Sequence, residues 1–213
     1  MKKSDKTFLR MLSLFFGLMA LGNIIVAFYN GNLTNLLWFC NTVLIIFAIG
    51  LYYRNLMILS SVLTSSLVIE FLWTIDVISF SLTGNLLIGI ANYLNSVSLI
   101  GYIMTFYHLF LFVIPICVIF FIKKFHKLSW VFSSFHLLIV FILTKILTNS
   151  NINCVRDYCN IGIFQPLYLL KPIMAPFFIF HWIIITILVF IPTHLFLINL
   201  PVIWKSITSK LTK

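Results

Sequence analysis

KTFLRMLSLFFGLMALGNIIVAFY, residues 6–29, is an apolar run that begins beside basic residues and ends at a polar turn. About 20 such residues, wound as an α-helix, cross the ~30 Å hydrocarbon core of a bilayer. Further long apolar runs follow along the chain, and six spans are predicted at about 8–29, 34–53, 56–79, 97–122, 129–148 and 172–203. The predicted fold class is therefore all-α, a polytopic membrane protein with one integral membrane domain over residues 1–213.

The composition excludes an ordinary water-soluble domain. Of the 213 residues, 62% are hydrophobic and only 8% are charged, which is too few ionised groups to cover a water-facing surface. The net charge of +10 does not indicate nucleic acid, because the basic residues cap apolar runs and form no stripe with interleaved aromatic residues. The predicted partners are membrane lipids, with anionic headgroups at the cytoplasmic face.

The basic residues fall unevenly between the two sets of polar gaps, and this asymmetry predicts the orientation. Three lie in gaps on one side: Lys145, Arg156 and Lys171. Eleven lie on the other side: Lys2, Lys3, Lys6, Arg10, Arg54, Lys123, Lys124, Lys127, Lys205, Lys210 and Lys213. The protein is therefore predicted to be a multi-pass protein of the cell membrane with both termini cytoplasmic. Segment 80–96, too short and polar to span, is predicted to be an outer re-entrant or interfacial piece.

The outer loop 149–171 contains Cys154 and Cys159 in a C-x4-C spacing. An outer loop is usually in an oxidising compartment, so a disulfide between these two residues is predicted. The loop contains no His that would complete a metal site, and the chain has neither a Gly-rich phosphate loop nor an H-E-x-x-H motif. No metal and no cofactor is predicted.

Ionisable side chains at membrane depth need a partner or a function. A rise of about 1.5 Å per residue along alternating helices gives each one a depth. His136 falls nearer the middle of the bilayer and His194 in its inner half. The outer half holds Cys40, Glu70, Asp76, His108 and His181. Each His is alternatively a hydrogen-bonding contact between helices, and Glu70 with His108 and His181 is alternatively a metal site.

Cys40 is the residue of this set that can act as a nucleophile. A thiol in apolar surroundings is inert unless a base or a positive charge activates it, so Cys40 matters only if His108 or His181 reaches it. A thiolate–imidazole pair with a carboxylate or amide orienting the base is the arrangement used in covalent catalysis. Asn41 and Thr42 lie beside Cys40, and Asn41 is predicted to donate a hydrogen bond to the oxyanion.

Three stretches resemble a family of small six-span membrane proteins. They are LWFCNT at 37–42, YHLF at 107–110 with Pro115, and QPLYLLKP at 165–172. The family includes the androgen-induced membrane hydrolases of fatty-acid esters, a cysteine-dependent phospholipid acyltransferase and bacterial YwaF-type proteins. The resemblance implies a Cys or Thr nucleophile with a His base acting on lipid acyl groups. Cys40 corresponds to the nucleophile and His108 to the base, with Thr42 as the nucleophile if the threonine type applies.

The leading hypothesis is a lipid-active hydrolase or acyltransferase whose site is in the outer half of the bilayer, shielded by the outer loop. A second hypothesis is a small proton-coupled transporter or channel lined by Glu70, His108, His136 and His181. A third is a non-enzymatic membrane binding or immunity protein in which the polar residues only hold helices together.

Overall fold

A computed structural model describes residues 3–95, 99–122, 124–156 and 178–200, and within these ranges every regular element is helical. The helices are α1 (Lys3–Tyr29), α2 (Phe39–Tyr53), α3 (Leu56–Thr83), α4 (Leu99–Thr105), α5 (Tyr107–Ile122), α6 (Ser129–Leu147) and α7 (Phe178–Leu200). Short 3-10 turns occupy Leu33–Leu37, Asn92–Asn95 and Ile152–Cys154. The predicted all-α fold class is confirmed.

Among the described residues, five stretches are long and apolar enough to cross a membrane: Asp5–Tyr29, Leu56–Thr83, Gly101–Ile122, Ser129–Leu147 and Phe178–Leu200. Helix α2 is apolar but has only 15 residues, about 22 Å at 1.5 Å per residue. That length falls short of the ~30 Å hydrocarbon core. The multi-span helical character is confirmed, and the predicted count of six depends on α2.

The outward face of α1 is apolar along its length and is compatible with a lipid environment. Leu9 and Phe16 are fully buried against the neighbouring helices. On the opposite face, side chains at helical spacing are each at least 50% exposed: Met11, Leu14, Leu18, Leu21, Ile25 and Phe28. A continuous exposed apolar stripe of this kind suits hydrocarbon and is unusual on a protein surface that faces water.

Helices α1 and α2 form an antiparallel pair. Ser13 Oγ donates to the Ala48 carbonyl at 2.8 Å, and Asn23 Nδ2 donates to Asn41 Oδ1 at 3.0 Å. The partner's number falls along α2 as the number rises along α1, as antiparallel packing requires. The second of these contacts holds the start of α2, the part of the helix that carries Cys40.

A tight turn connects α2 to α3. Arg54 ends α2 in the left-handed region with φ 54°, and the Asn55 side chain caps α3 by accepting from the Ile58 backbone N–H at 3.1 Å. Gly50 lets the two helices approach, because a Cβ there would lie 2.6 Å from Ile58 Cγ2. Helices α2 and α3 therefore reverse direction within two residues.

Contacts between polar gaps define two ends of the helix bundle. At one end Asn153 Oδ1 accepts from the Phe39 N–H at 2.9 Å, and Asn153 Nδ2 donates to the Leu37 carbonyl at 2.7 Å. At the other end the His126 N–H donates to Ser60 Oγ at 3.0 Å. The gap before α2 thus meets the gap after α6, while the gap before α6 meets the start of α3, which is the grouping that the charge pattern predicts.

The described part of segment 80–96, residues 80–95, packs at the first of these ends. Helix α3 continues to Thr83, beyond the predicted end at residue 79, and terminates at Gly84 with φ 72°. The following turns fold back and form a small apolar cluster with α3 that contains Trp73, Val77, Ala91 and Leu94. Residues 84–95 are therefore not a span and lie against the end of α3.

Several predicted features lie outside the described residues. They are Cys159, most of loop 149–171, and the QPLYLLKP stretch at 165–172. The disulfide between Cys154 and Cys159 stays a prediction.

Candidate functional site

Glu70 on α3 and His108 on α5 form a buried pair. The Oε2 atom of Glu70 lies 2.6 Å from Nδ1 of His108, and the two residues are 1% and 7% exposed. A carboxylate at membrane depth is tolerated when a specific partner faces it. The structure thus joins two residues that the depth argument only placed in the same half of the bilayer.

Two aromatic rings fix the orientation of the His108 imidazole. Trp73 stacks on it with ring centroids 4.4 Å apart, and Tyr107 stacks on it at 4.2 Å. Trp73 follows Glu70 by three positions, so both project from the same face of α3. The Trp73 indole N–H donates to the Tyr93 hydroxyl at 2.8 Å, which ties segment 84–95 to this stack.

Cys40 completes a contiguous group that we name the thiol cluster: Cys40, Glu70, Tyr107 and His108. The Tyr107 hydroxyl lies 3.2 Å from Cys40 Sγ, and the Tyr107 ring, which stacks on His108, links the thiol to the imidazole. Cys40 is the second residue of α2, in the turn that Asn153 holds. Three helices therefore bring a thiol, an imidazole and a carboxylate into one chain of contacts.

The Asn41 side chain does not have the predicted orientation. Its Oδ1 atom accepts from the Tyr107 hydroxyl at 2.8 Å and from Asn23 Nδ2 at 3.0 Å. Its Nδ2 atom donates to the Asn35 carbonyl at 2.7 Å. The amide oxygen faces the cluster and the nitrogen is bound to Asn35, so the role predicted for Asn41 as oxyanion donor does not fit this geometry.

Thr42 pairs with a different imidazole. His136 Nε2 lies 3.0 Å from Thr42 Oγ1, and the hydroxyl itself donates to the Phe39 carbonyl at 2.8 Å. Positions two apart on a helix are about 200° apart around its axis. Cys40 therefore faces α5 while Thr42 faces α6, and the structure joins Thr42 to His136 and not to His108.

Asp76, predicted to share the outer half with Glu70, is hydrogen-bonded to the backbone of the segment that follows α3. It is fully buried, and its carboxylate accepts from the backbone N–H groups of Ile88 at 2.6 Å, Gly89 at 2.9 Å and Ala91 at 3.0 Å. The carboxylate thus anchors the segment after α3. The contacts of Asp76 are with this backbone, so it does not join Glu70 in the thiol cluster.

His181 lies on α7 and packs against Phe141 of α6, with ring centroids 5.3 Å apart. Within the described ranges no group of three or more His, Cys, Asp or Glu side chains is arranged to hold a metal ion. The alternative metal site of Glu70, His108 and His181 is therefore not formed there.

A second polar network, which we name the hydroxyl seam, joins α3, α6 and α7. Ser129 Oγ lies 2.9 Å from Thr64 Oγ1 and 2.8 Å from His194 Nδ1. Ser133 Oγ donates to the carbonyl of Ser61 at 2.8 Å. The members of the seam are Thr64, Ser129, Ser133, Ser134, Thr186 and His194, with Ser134 and Thr186 in contact at 2.7 Å.

Sequence reasoning assigned no role to Tyr107, Trp73 or Asn23. Tyr107 precedes His108 directly, and Trp73 shares a face with Glu70, so adjacency to a buried ionisable residue was a usable signal for both. Asn23 offered no such signal, because its contact with Asn41 depends on how α1 packs against α2.

No family model, curated protein or solved structure matches the chain. The contacts of the thiol cluster are therefore the basis for assigning a function.

Proposed function

We propose that this protein is an integral membrane hydrolase or acyltransferase that acts on lipid acyl esters through Cys40. His108 is the general base and Glu70 orients it. One observation carries the proposal: an unbroken chain of contacts runs from the Cys40 thiol through Tyr107 to the His108 imidazole and the Glu70 carboxylate. A nucleophile, a base and a group that orients the base are the parts that covalent acyl transfer needs.

In the first step the Cys40 sulfur attacks the ester carbonyl carbon while the thiol proton passes to Nε2 of His108. The new C–S bond displaces the carbonyl π electrons onto oxygen, which forms a tetrahedral oxyanion. Glu70 accepts a hydrogen bond from Nδ1–H, which keeps Nε2 available as the base and stabilises the imidazolium that forms.

In the second step the oxyanion collapses, the C–O bond to the alcohol breaks, and His108 returns the proton to the leaving alkoxide. A thioester on Cys40 remains. Water or the hydroxyl of a second lipid then attacks the thioester, with His108 again taking the proton, and the carboxylic acid or new ester leaves as the thiol is restored.

The surroundings of the cluster favour a substrate with an acyl chain. Cys40 packs at the edge of the main apolar core, and Leu111, one turn beyond His108 on α5, is fully buried in that core. A lipid ester can bring its carbonyl to the thiol with its chain in hydrocarbon, whereas a strongly polar substrate loses its hydration at this depth.

The test uses purified protein in nanodiscs with p-nitrophenyl esters of increasing chain length and with a phospholipid. The wild type is expected to release p-nitrophenol in a burst and to carry a hydroxylamine-sensitive acyl group on Cys40, identified by mass spectrometry. Cys40→Ala is expected to abolish the adduct, and His108→Ala to slow its formation about 10²–10⁴-fold.

Cys117→Ala is the matched control, since Cys117 is a free cysteine on the exposed face of α5 and has no part in the cluster. It is expected to acylate at the wild-type rate. An acyl adduct that persists in Cys40→Ala, or full activity in His108→Ala, would contradict the proposed function.

We also propose six spans, with α2 crossing as the sixth, and both termini in the cytoplasm of a cell-membrane protein. The end that contains Arg54 then meets anionic headgroups. Arg10 of α1 lies beside Tyr52 and Tyr53 of α2, so it shares this end with Arg54, and the presence of both cations at one end supports the assignment. Alkaline phosphatase fused after Asn32 should be active and after Arg54 inactive; the reverse pattern overturns the orientation.

A further inference from the structure

We infer that the Tyr107 hydroxyl is the oxyanion donor of this site, a role that rests on the proposed function and deepens it. Tyr107 is 6% exposed, and its hydroxyl is 3.2 Å from Cys40 Sγ. Among the described residues, Tyr107 is the one whose hydroxyl contacts the nucleophilic sulfur. Asn41, the donor expected from sequence, presents its oxygen there instead.

The position of the hydroxyl suits the developing charge. Donors act on a tetrahedral intermediate when they lie about 2.7–3.1 Å from the oxyanion. The oxyanion oxygen is bonded to the carbon that Cys40 attacks, so it lies two covalent bonds away from Sγ. A hydroxyl already in contact with Sγ needs only a small rotation about its C–O bond to reach that oxygen.

The resting network leaves the Tyr107 proton available for this movement. The hydroxyl carries one hydrogen, and Asn41 Oδ1 at 2.8 Å accepts it before attack. Asn41 keeps a second donor, Asn23 Nδ2, so its oxygen stays hydrogen-bonded when Tyr107 turns to the oxyanion. Tyr107 donates a hydrogen bond and transfers no proton in either step, and Asn41 acts as a positioning residue for it.

The first turn of α2 offers a second donor beside Tyr107. The Phe39 N–H is bound to Asn153 Oδ1 and the Asn41 N–H to the Trp38 carbonyl. Within the described part of the chain, the Cys40 N–H has no hydrogen-bond partner. An unpaired N–H in the first turn of a helix favours negative charge, so it complements the hydroxyl on the same intermediate.

Tyr107→Phe separates this role from simple packing, because phenylalanine keeps the ring that stacks on His108 and removes only the hydroxyl. The expected result is a thioester-forming rate about 10²–10³-fold lower, with KM nearly unchanged. Alkylation of Cys40 by iodoacetamide, which forms no oxyanion, should keep its wild-type rate. Tyr102→Phe, whose hydroxyl contacts Ser81 at 3.2 Å, is the control and should behave as wild type in both assays.

The outcomes distinguish the two proposals. If Tyr107→Phe forms the thioester at the wild-type rate, Tyr107 is not the donor although the proposed function stands. If alkylation and acylation fall together, Tyr107 supports the thiol itself and the oxyanion role is wrong. If the wild type forms no thioester, the proposed function fails and the inference with it. Should the Phe variant not fold, 3-fluorotyrosine at position 107 replaces it: a more acidic hydroxyl must accelerate acylation, and an unchanged rate overturns the role.

Discussion

The thiol cluster and the hydroxyl seam each bury an imidazole between helices, yet their partners differ in kind. His108 contacts the Glu70 carboxylate and stacks on Tyr107, whose hydroxyl contacts the Cys40 thiol, whereas His194 contacts the Ser129 hydroxyl. The two histidines are almost equally buried, 7% and 6% exposed. Burial alone therefore does not distinguish the proposed catalytic histidine, His108, from His194, and the chemistry of the groups beside each ring does.

The hydroxyl seam consists of the kinds of hydrogen bond that hold helices together. Its hydroxyls pair with one another or with a carbonyl of the adjacent helix, as in the Ser134–Thr186 and Ser133–Ser61 bonds. Such bonds are common between membrane helices and need no ionised partner. In the cluster, by contrast, Glu70 can hold a negative charge that stabilises a protonated His108 during a reaction.

Among the variants that compare the two regions, the largest effect is expected from removing that charge. Glu70→Gln keeps the shape and a hydrogen-bond acceptor but no longer stabilises an imidazolium at position 108. We expect the rate of acyl transfer to fall about 10³-fold, or about 4 kcal/mol in the activation barrier. Burst kinetics with a p-nitrophenyl ester measure this rate.

His194→Gln makes the same kind of change in the seam and is the control for Glu70→Gln. The imidazole of His194 contacts a hydroxyl and, among the described contacts, no carboxylate. Removing it should therefore leave acyl transfer at its wild-type rate. If both variants lose activity equally, the distinction between the two regions is wrong, and a proton path through both becomes the better explanation.

The second-largest effect is expected on stability, for a variant in the hydroxyl seam. Ser129→Ala removes the hydroxyl that contacts both Thr64 and His194. We expect the free energy of unfolding in detergent to fall by about 1–2 kcal/mol and acyl transfer to be unchanged. Ser81→Ala, which removes an exposed hydroxyl bonded to Tyr102, should leave stability nearly unaltered. Loss of activity in Ser129→Ala without loss of stability would place the seam in the reaction.

The smallest effect is expected at Thr42, on the other side of α2 from the cluster. Thr42→Val keeps the side-chain shape and removes the hydrogen bond with His136. Stability should fall by about 1 kcal/mol, with acyl transfer within about threefold of wild type. If Thr42→Val abolishes acylation while Cys40→Ala retains it, Thr42 with His136 is the nucleophilic pair, and the thiol cluster loses its assigned role.

Much of the fold could be predicted because apolar length and polar punctuation are local properties. The predicted spans at 56–79 and 129–148 correspond to α3 and α6. The predicted span at 34–53 is instead a 3-10 turn, Leu33–Leu37, followed by the shorter α2. Its start is set by Asn153, more than a hundred residues away, and no window around residue 39 contains that information.

The sequence predicted which residues belong to the candidate site, but it did not predict which of them contact each other. Cys40, Glu70 and His108 were selected by depth, and the structure joins them. Asp76 was selected by the same argument but binds the backbone of segment 88–91. Depth measures position along a helix axis and carries no information on rotation about it, so it cannot separate a residue facing α5 from one facing another neighbour.

The sequence by itself determined that the chain forms apolar helices and roughly how deep each polar residue lies. Both follow from local rules: hydrocarbon requires every backbone polar group to be bonded within a helix, and each helical residue advances about 1.5 Å. Only the tertiary structure decided that Tyr107 reaches Cys40, that Asn41 turns its oxygen to that hydroxyl, and that Glu70 meets His108. These contacts depend on helix rotation and packing, which arise from many weak interactions between segments distant in sequence.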